Sequence, residues 1–331
     1  CQALNVGWAM THIFVTGATG FLGGHLIRHL HQEHDYDLSA SVRSVSTATL
    51  PEGVKTLRVE GMGADTAWKV VLQSVDVVVH CAARVHVMDD TSIDPLAEFR
   101  KVNVEGTLRL AREAVDAGVK RFVFISSIKV NGEETLLGAP YTADDTPKPM
   151  DPYGVSKMEA ERGLMELAKK VDMDVVIIRP VLVYGAGVRA NVLTMMRWLS
   201  KGIPLPLGAI HNRRSLVALD NLSDLIATCV WHPAAANQVF LVSDGEDLST
   251  TDLLRRMALS LGTSARLLPV PAGLLKIAAT LIGKSSFSQR LCGSLQVDIS
   301  KTRLLLGWSP RVSVDKGLAV TAQHYLEQTK R

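Results

Sequence analysis

A serine, a tyrosine and a lysine stand where they could move a proton together: Ser127 in FISSIKVNG, Tyr153 in DPYGVSK, and Lys157 four residues further on. On a helix, positions four apart lie one above the other, so Tyr153 and Lys157 are predicted to share a face. An ammonium beside a phenol favours the phenolate and lowers a pKa that is ordinarily about 10, which predicts an acid/base usable near neutral pH. Ser127 is then expected to hydrogen-bond the substrate oxygen that gains or loses the proton. The Tyr-x-x-x-Lys spacing alone is too short a pattern to carry an activity. What gives it weight is its company, a serine at the tip of a strand and a glycine loop at the start of the chain.

That loop is VTGATGFLGGHL, with Gly17, Gly20 and Gly23 directly after a strand pattern and at the opening of a helix. Spaced glycines let the chain turn tightly and let backbone N–H groups approach a pyrophosphate at the positive end of a helix. Thr19, Phe21 and Leu22 belong to the same turn and are candidates with it. The second strand ends in Arg43, where an NAD-selective chain usually places an acid for the ribose 2′-hydroxyl. A guanidinium can pair instead with a 2′-phosphate, so the cofactor is NAD(P)(H), with NADP(H) favoured; Arg43 stacked on adenine is the other reading.

Positioning these residues takes a particular scaffold. Short apolar runs (HIFVTG, LSASV, LRVE, VDVVVHCAA, RFVFISS, DVVIIRP) alternate with helix-length segments at 21–31, 95–117 and 153–171. Continuous β-branched strands of this kind mark a parallel sheet covered on both faces. The fold class is therefore α/β, a Rossmann-type doubly wound sheet over 10–180. A looser region, 181–331, with short helices near 193–201, 220–231 and 251–261, is expected to be mainly a substrate-binding cap. Residues 1–9 lack a charged n-region and a long apolar run and are expected to be an upstream extension. With four dispersed cysteines the default location is the cytoplasm. The net charge of +3 is spread out, which argues against nucleic acid as a partner. The most apolar stretch, Leu267 to Ile282, is interrupted by Pro269, Pro271 and Lys276, so it is too short for membrane insertion and is expected to be a buried helix or a lid.

The GxxGxxG spacing resembles the TGxxGxxG loop of the extended short-chain dehydrogenase/reductases, the NAD-dependent epimerase/dehydratase family of nucleotide-sugar epimerases, dehydratases and reductases. HCAA at 80–83, Asn103 in KVNVEGT and the C-terminal LGWSPRVSVDKGL are similar as well, so the resemblance covers about 11–320. It implies hydride exchange with a nicotinamide and a C-terminal cap over it. Ala82, Ala83 and Arg84 would line the adenine and ribose side, with Pro180 a further cofactor contact and Asn103 partly structural. His80 is either part of that lining or a satisfied core histidine. Gly61 stands where relatives carry an acid for the adenine amino group, which leaves backbone near Met62 to supply the contact. In the cap, Asn191, Arg213 and Arg214 would meet the substrate phosphates, which the guanidinium fork suits. Arg189 and Arg290 are weaker candidates of the same kind. The family's dimer mode points to helices near 96–117 and 159–171.

The residues after Ser127 narrow the reaction. The family's 4,6-dehydratases resemble T-D-E-V-Y-G there, whereas this chain reads Ser127-Ile128-Lys129-Val130-Asn131-Gly132 and lacks both carboxylates that elimination needs. Two chemistries at C4 of a UDP-sugar remain. One is reduction of a UDP-4-keto-6-deoxy-N-acetylhexosamine for O-antigen or other polysaccharide precursors. It is favoured by a dissociable NADPH at Arg43 and by the resemblance of SSIKVNGEET…YTADDTPKPMDPYGVSK to bacterial 4-ketoreductases. The other is 4-epimerisation of UDP-glucose or UDP-N-acetylglucosamine. A ketone reductase on a non-sugar substrate is a third reading, set against the polar cap residues; a redox sensor would be expected to have lost Tyr153 or Lys157.

Overall fold

The computed structural model describes residues 11–33, 36–43, 50–59, 61–85, 94–281, 289 and 291–330. The β-branched runs form strands β1 (His12–Thr16), β2 (Asp37–Val42), β3 (Lys55–Arg58), β4 (Val77–His80), β5 (Arg121–Ile125) and β6 (Asp174–Pro180). With β9 (Gln238–Val242) they make one seven-stranded sheet in the order β3-β2-β1-β4-β5-β6-β9. From β3 to β6 every neighbouring pair is parallel. The strand order reverses between β1 and β4. In such sheets, ligands bind outside the carboxyl ends of the strands at that point.

Helices α1 (Phe21–Glu33), α2 (Pro95–Arg100), α3 (Thr107–Asp116) and α4 (Pro152–Ala168) follow the sheet strands. Leu26, Ile27 and Leu30 of α1 are fully buried, as are Leu110, Ala111 and Ala114 of α3 and Ala160 and Leu164 of α4. The last five belong to one core cluster with Phe14, Trp68, Val78, Phe122, Phe124, Val175 and Ile177. Lys101–Gly106, between α2 and α3, is a turn of π-helix. The single helix predicted over 95–117 is thus continuous but locally widened, a device common at functional sites.

Compact packing divides the chain into one unit of Cys1–Val130, Pro149–Ile178 and Ile226–Val239 and another of Asn131–Lys148, Arg179–Leu225 and Phe240–Arg331. The second unit contains β7 (Leu182–Tyr184), α5 (Ala190–Ser200), β8 (Arg214–Ala218), β10 (Asp247–Leu248), α7 (Thr250–Ser260), α8 (Ala272–Leu281), α9 (Ser300–Leu306) and α10 (Val314–Thr329), while α6 (Leu219–Trp231) begins in it. Its three-stranded sheet runs β10-β8-β7, and it builds its own core from Tyr184, Met196, Leu199, Leu216, Leu254, Met257 and Leu318. The Tyr184 hydroxyl donates to Asp244 Oδ2 at 2.6 Å inside that core. The expected buried helix at 267–282 is corrected in part: α8 packs one side inward, but Leu274, Ile277 and Leu281 are exposed. Hydropathy alone does not say how many faces of an apolar helix find a neighbour.

Candidate active site

The glycine loop is built by close backbone approaches that only glycine allows. Gly17 has φ 72°, in the left-handed region, and a Cβ there would lie 2.8 Å from Ala82 N. A Cβ on Gly23 would lie 2.3 Å from Gly17 O, and Gly20 N donates to that same oxygen at 2.9 Å. Thr19 and Gly20 are exposed at the turn, and Phe21 and Leu22 are half-buried in the first turn of α1. No acidic residue occupies that first turn, so no side chain of α1 competes for the positive end of the helix. A cradle of this kind fits a dinucleotide diphosphate. Arg43, exposed, is the first residue after β2. Half-buried Met62 packs its backbone on the π-helical turn, where a Cβ on Gly106 would come within 2.3 Å of Met62 O.

At the carboxyl end of β4 a line of hydrogen bonds joins strand ends and helix. Ala82 N donates to Thr16 Oγ1 at 3.2 Å, Thr16 Oγ1 meets His80 Nδ1 at 2.7 Å, and His80 Nε2 meets Thr107 Oγ1 at 3.0 Å. His80 is 1% exposed and stacks on Phe124 at 5.8 Å, which makes it a satisfied core histidine. Burial, with the Lys157 charge adding, holds its imidazole down at about 3. The unfolded imidazole protonates near 6.5 while the folded one stays neutral, so this residue makes stability fall as pH drops from about 6.5 towards 3, by up to about 1.4 kcal/mol per pH unit. Urea unfolding at pH 7, 6 and 5 is expected to show that slope in the wild type and a shallower one in His80→Asn. Equal slopes would remove His80 as its source.

Asn103, buried in the π-helical turn, is a clamp. Its Oδ1 accepts from Arg84 N at 2.8 Å, and its Nδ2 donates to Arg84 O and to Ser156 Oγ, each at 3.0 Å. Ser156 Oγ in turn donates to the Tyr153 carbonyl at 2.8 Å. The loop after β4, which carries Ala82, Ala83 and Arg84, is thereby tied to the helix that carries Tyr153. Phe99 makes a second tie, lying under the Arg84 guanidinium at 5.6 Å and edge-on to the Tyr153 ring at 6.0 Å.

Helix α4 begins after Asp151, whose Oδ1 caps Gly154 N at 2.7 Å, with Pro152 in the first turn. The other Asp151 oxygen pairs with Lys129 Nζ. Lys157, 2% exposed, donates from Nζ to Ile125 O at 2.8 Å and lies 4.4 Å from the Phe124 ring centre. Its ammonium thus sits at the carboxyl end of β5, two residues before Ser127. Ser126 Oγ hydrogen-bonds Glu161 one turn further along α4. Ser127 is half-buried, and its Oγ accepts from Lys129 N at 3.3 Å. Burial pushes Lys157 down to about 8, with Glu161 partly opposing. The expected lowering of the Tyr153 pKa is corrected: burial raises the phenol above its ordinary value, and the Asp151 charge raises it further. Desolvation, which spacing does not encode, sets the direction here.

Pro180, buried, ends β6. In the second unit, exposed Asn191 stands in the first turn of α5, next to Ala190 with φ 53°. Exposed Arg213 is anchored by its backbone, its N–H donating to Ser294 Oγ at 3.0 Å. The Arg214 guanidinium donates to Gly293 O at 3.0 Å and so contributes to holding β8 as well. Arg189 is exposed, whereas Arg290 lies outside the described residues. Sequence reasoning missed Phe99, Ser156 and the Lys129–Asp151 pair. Of these only Asp151-Pro152 left a local signal, that of a capping residue followed by proline.

The model of the NAD dependent epimerase/dehydratase family matches residues 13–243. A UDP-glucose 4-epimerase of Vibrio cholerae is 50% identical over 320 residues, 96% of this chain and 97% of its own. Among solved structures, UDP-glucuronic acid 4-epimerase from Bacillus cereus in complex with NAD aligns with a TM-score of 0.77 at 22% identity, over 96% of this chain and 99% of that one. UDP-glucose 4-epimerase from Thermotoga maritima with UDP-glucose gives 0.74 at 22% identity, over 97% and 100%. At such identities the likeness is one of fold. With the glycine cradle, the Ser-Tyr-Lys set and a family match over most of its length, the chain belongs to the NAD-dependent epimerase/dehydratase family, among the extended short-chain dehydrogenase/reductases.

Proposed function

We propose that the protein interconverts C4 epimers of a UDP-sugar, with the first unit holding the dinucleotide and Asn191, Arg213 and Arg214 of the second meeting the substrate diphosphate. The observation that carries this reading is the 50% identity to the Vibrio cholerae UDP-glucose 4-epimerase along nearly all of both chains. The site chemistry is consistent with it: Ser127, Tyr153 and Lys157 serve oxidation and re-reduction at one carbon, and Ile128 and Lys129 stand where a dehydratase would need carboxylates. Held at the turn of Gly17, Gly20 and Gly23, a nicotinamide dinucleotide would supply reversible hydride exchange with C4. As the phenolate, Tyr153 takes the C4 hydroxyl proton when the ketone forms, and as the resulting phenol gives it back once the sugar has presented its other face. Ser127 Oγ hydrogen-bonds the same oxygen, and Lys157 supplies positive charge from its seat on Ile125 O.

A second reading, net reduction of a UDP-4-keto-6-deoxy-sugar with NADPH, rests on Arg43 after β2 and the absence of an acid at that residue. The two separate cleanly in solution. Pure protein is incubated with UDP-glucose or UDP-N-acetylglucosamine without added cofactor, and separately with the 4-ketosugar and NADPH or NADH. Epimer formation in the first reaction supports the proposal; nicotinamide consumption confined to the second replaces it with reduction.

Lys157 also sets an expected pH limit. Its ammonium loses its proton near 8, so turnover is expected to fall as pH rises through that value, because the positive charge seated on Ile125 O disappears from the site. A pH–rate profile flat from 7 to about 9.5 would contradict that role.

A further inference from the structure

Lys129 reaches both hydroxyl-bearing segments of the proposed site, through three of its own groups. Its backbone N–H donates to Ser127 Oγ at 3.3 Å. Its Nζ pairs with Asp151 Oδ2, while the other oxygen of that carboxylate caps Gly154 N at 2.7 Å. Its carbonyl lies against the first turn of α4, where a Cβ on Gly154 would come within 2.8 Å of Lys129 O. Tyr153 lies inside the turn that these contacts fix. The backbone of Lys129 is itself held: Ile128–Val130 is a single turn of 3-10 helix, and the side chains on either side, Ile128 and Val130, are buried.

We propose that Lys129 is a positioning residue, which sets the separation of the Ser127 and Tyr153 hydroxyls by tying the turn after β5 to the cap of α4 through Asp151. The inference rests on the reading of Ser127 and Tyr153 as the pair that meets the substrate oxygen. It goes beyond that reading by giving a task to the residue that stands where a dehydratase would need a carboxylate. Stability is a poor account of the ion pair: the side chains of Lys129 and Asp151 are 29% and 21% exposed, and pairs open to water add little to folding. The helix start is already capped by the other oxygen of Asp151 and opened by Pro152. What the pair adds is direction, since it fixes where the capping carboxylate sits relative to Ser127. Two hydroxyls that serve one oxygen must both lie within about 2.6–3.2 Å of it, so a small shift of one segment against the other costs rate more than binding.

The test is a cycle of kcat and KM over the wild type, Lys129→Met, Asp151→Asn and the double variant, in the UDP-sugar reaction that the wild type performs, with thermal unfolding followed for each. Asparagine caps a helix about as well as aspartate, so Asp151→Asn removes the ion pair and keeps the turn. Each single variant is expected to lower kcat about tenfold, with KM within about twofold and the unfolding temperature unchanged. In the Asp151→Asn background, Lys129→Met is expected to cost less than about a further twofold, because the partner is already gone. Lys129→Arg, which can keep the pair, is expected to recover most of the wild-type rate. Lys169→Met removes an exposed pair with Glu166 at the far end of α4 and is expected to leave kcat intact. Three results would overturn the proposal: normal kcat in Lys129→Met, an equal loss in both backgrounds, or no recovery with arginine. Tyr153→Phe measured alongside separates two kinds of failure. If it is inactive while Lys129→Met turns over normally, the hydroxyl pair stands and the positioning role falls; if Tyr153→Phe is itself active, the reading of the site falls and this inference falls with it.

Discussion

Tyr153→Phe is expected to lower turnover by about 10²–10⁴-fold, the usual contribution of a positioned acid/base, while leaving the fold and cofactor binding in place. The ring supports that separation. Its edge-on packing against Phe99 and the hydrogen bond from Ser156 to the Tyr153 carbonyl do not use the phenolic oxygen. A phenylalanine fills the same space, so thermal unfolding should match the wild type, and titration with NAD should give an unchanged dissociation constant. The rate is measured by following epimer ratios. A phenylalanine variant with near-normal turnover would falsify the proposed role.

Gly23→Ala is the second large effect. The added methyl would sit 2.3 Å from Gly17 O, a backbone atom that cannot rotate aside, so either α1 or the turn must move. Overpacking of this kind costs about 1–3 kcal/mol of stability. The larger loss is expected in NAD affinity, about ten- to a hundredfold, since the displaced groups are the N–H donors that open the helix. Gly273→Ala is the matched control. A Cβ there meets nothing within 4 Å, and a helical alanine is worth about 1 kcal/mol more than glycine, so that variant should unfold at an equal or higher temperature. NAD binding followed by fluorescence or calorimetry in the two variants settles the matter; equal affinity would mean that the glycine turn does not hold the diphosphate.

The parallel sheet was legible in the sequence because its strands are buried on both faces and read as unbroken apolar runs, such as FVFI at 122–125 and VVII at 175–178. The glycine loop was legible for a related reason: a close backbone approach excludes every other residue, so it must be written in glycine. Other features left no such mark. The seat of Lys157 on Ile125 O depends on how deeply α4 lies against β5, which a four-residue spacing does not contain. The raised phenol of Tyr153 is a property of its surroundings, assembled from distant segments. Nothing in the sequence around Phe99 marks its place between Arg84 and Tyr153, which exists only in three dimensions. The apolar run after Leu267 was noticed, but a hydropathy pattern cannot tell a covered helix from an uncovered one.

The widened turn at Lys101–Gly106 makes the number of residues there part of the architecture. Removing one residue would either keep the wide winding and swing everything downstream by about 100°, or tighten the turn to regular winding and shift the residues inside it. Leu110, Ala111 and Ala114 would then leave the core, or Asn103 would leave the loop it holds. Substitution at exposed Lys101 should be nearly silent, whereas a single-residue deletion in the same six positions should cost the Asn103 hold on Arg84 or the register of the core. Variation within this turn is thus open at exposed Lys101 and closed at Asn103 and Gly106, which hold the neighbouring loops.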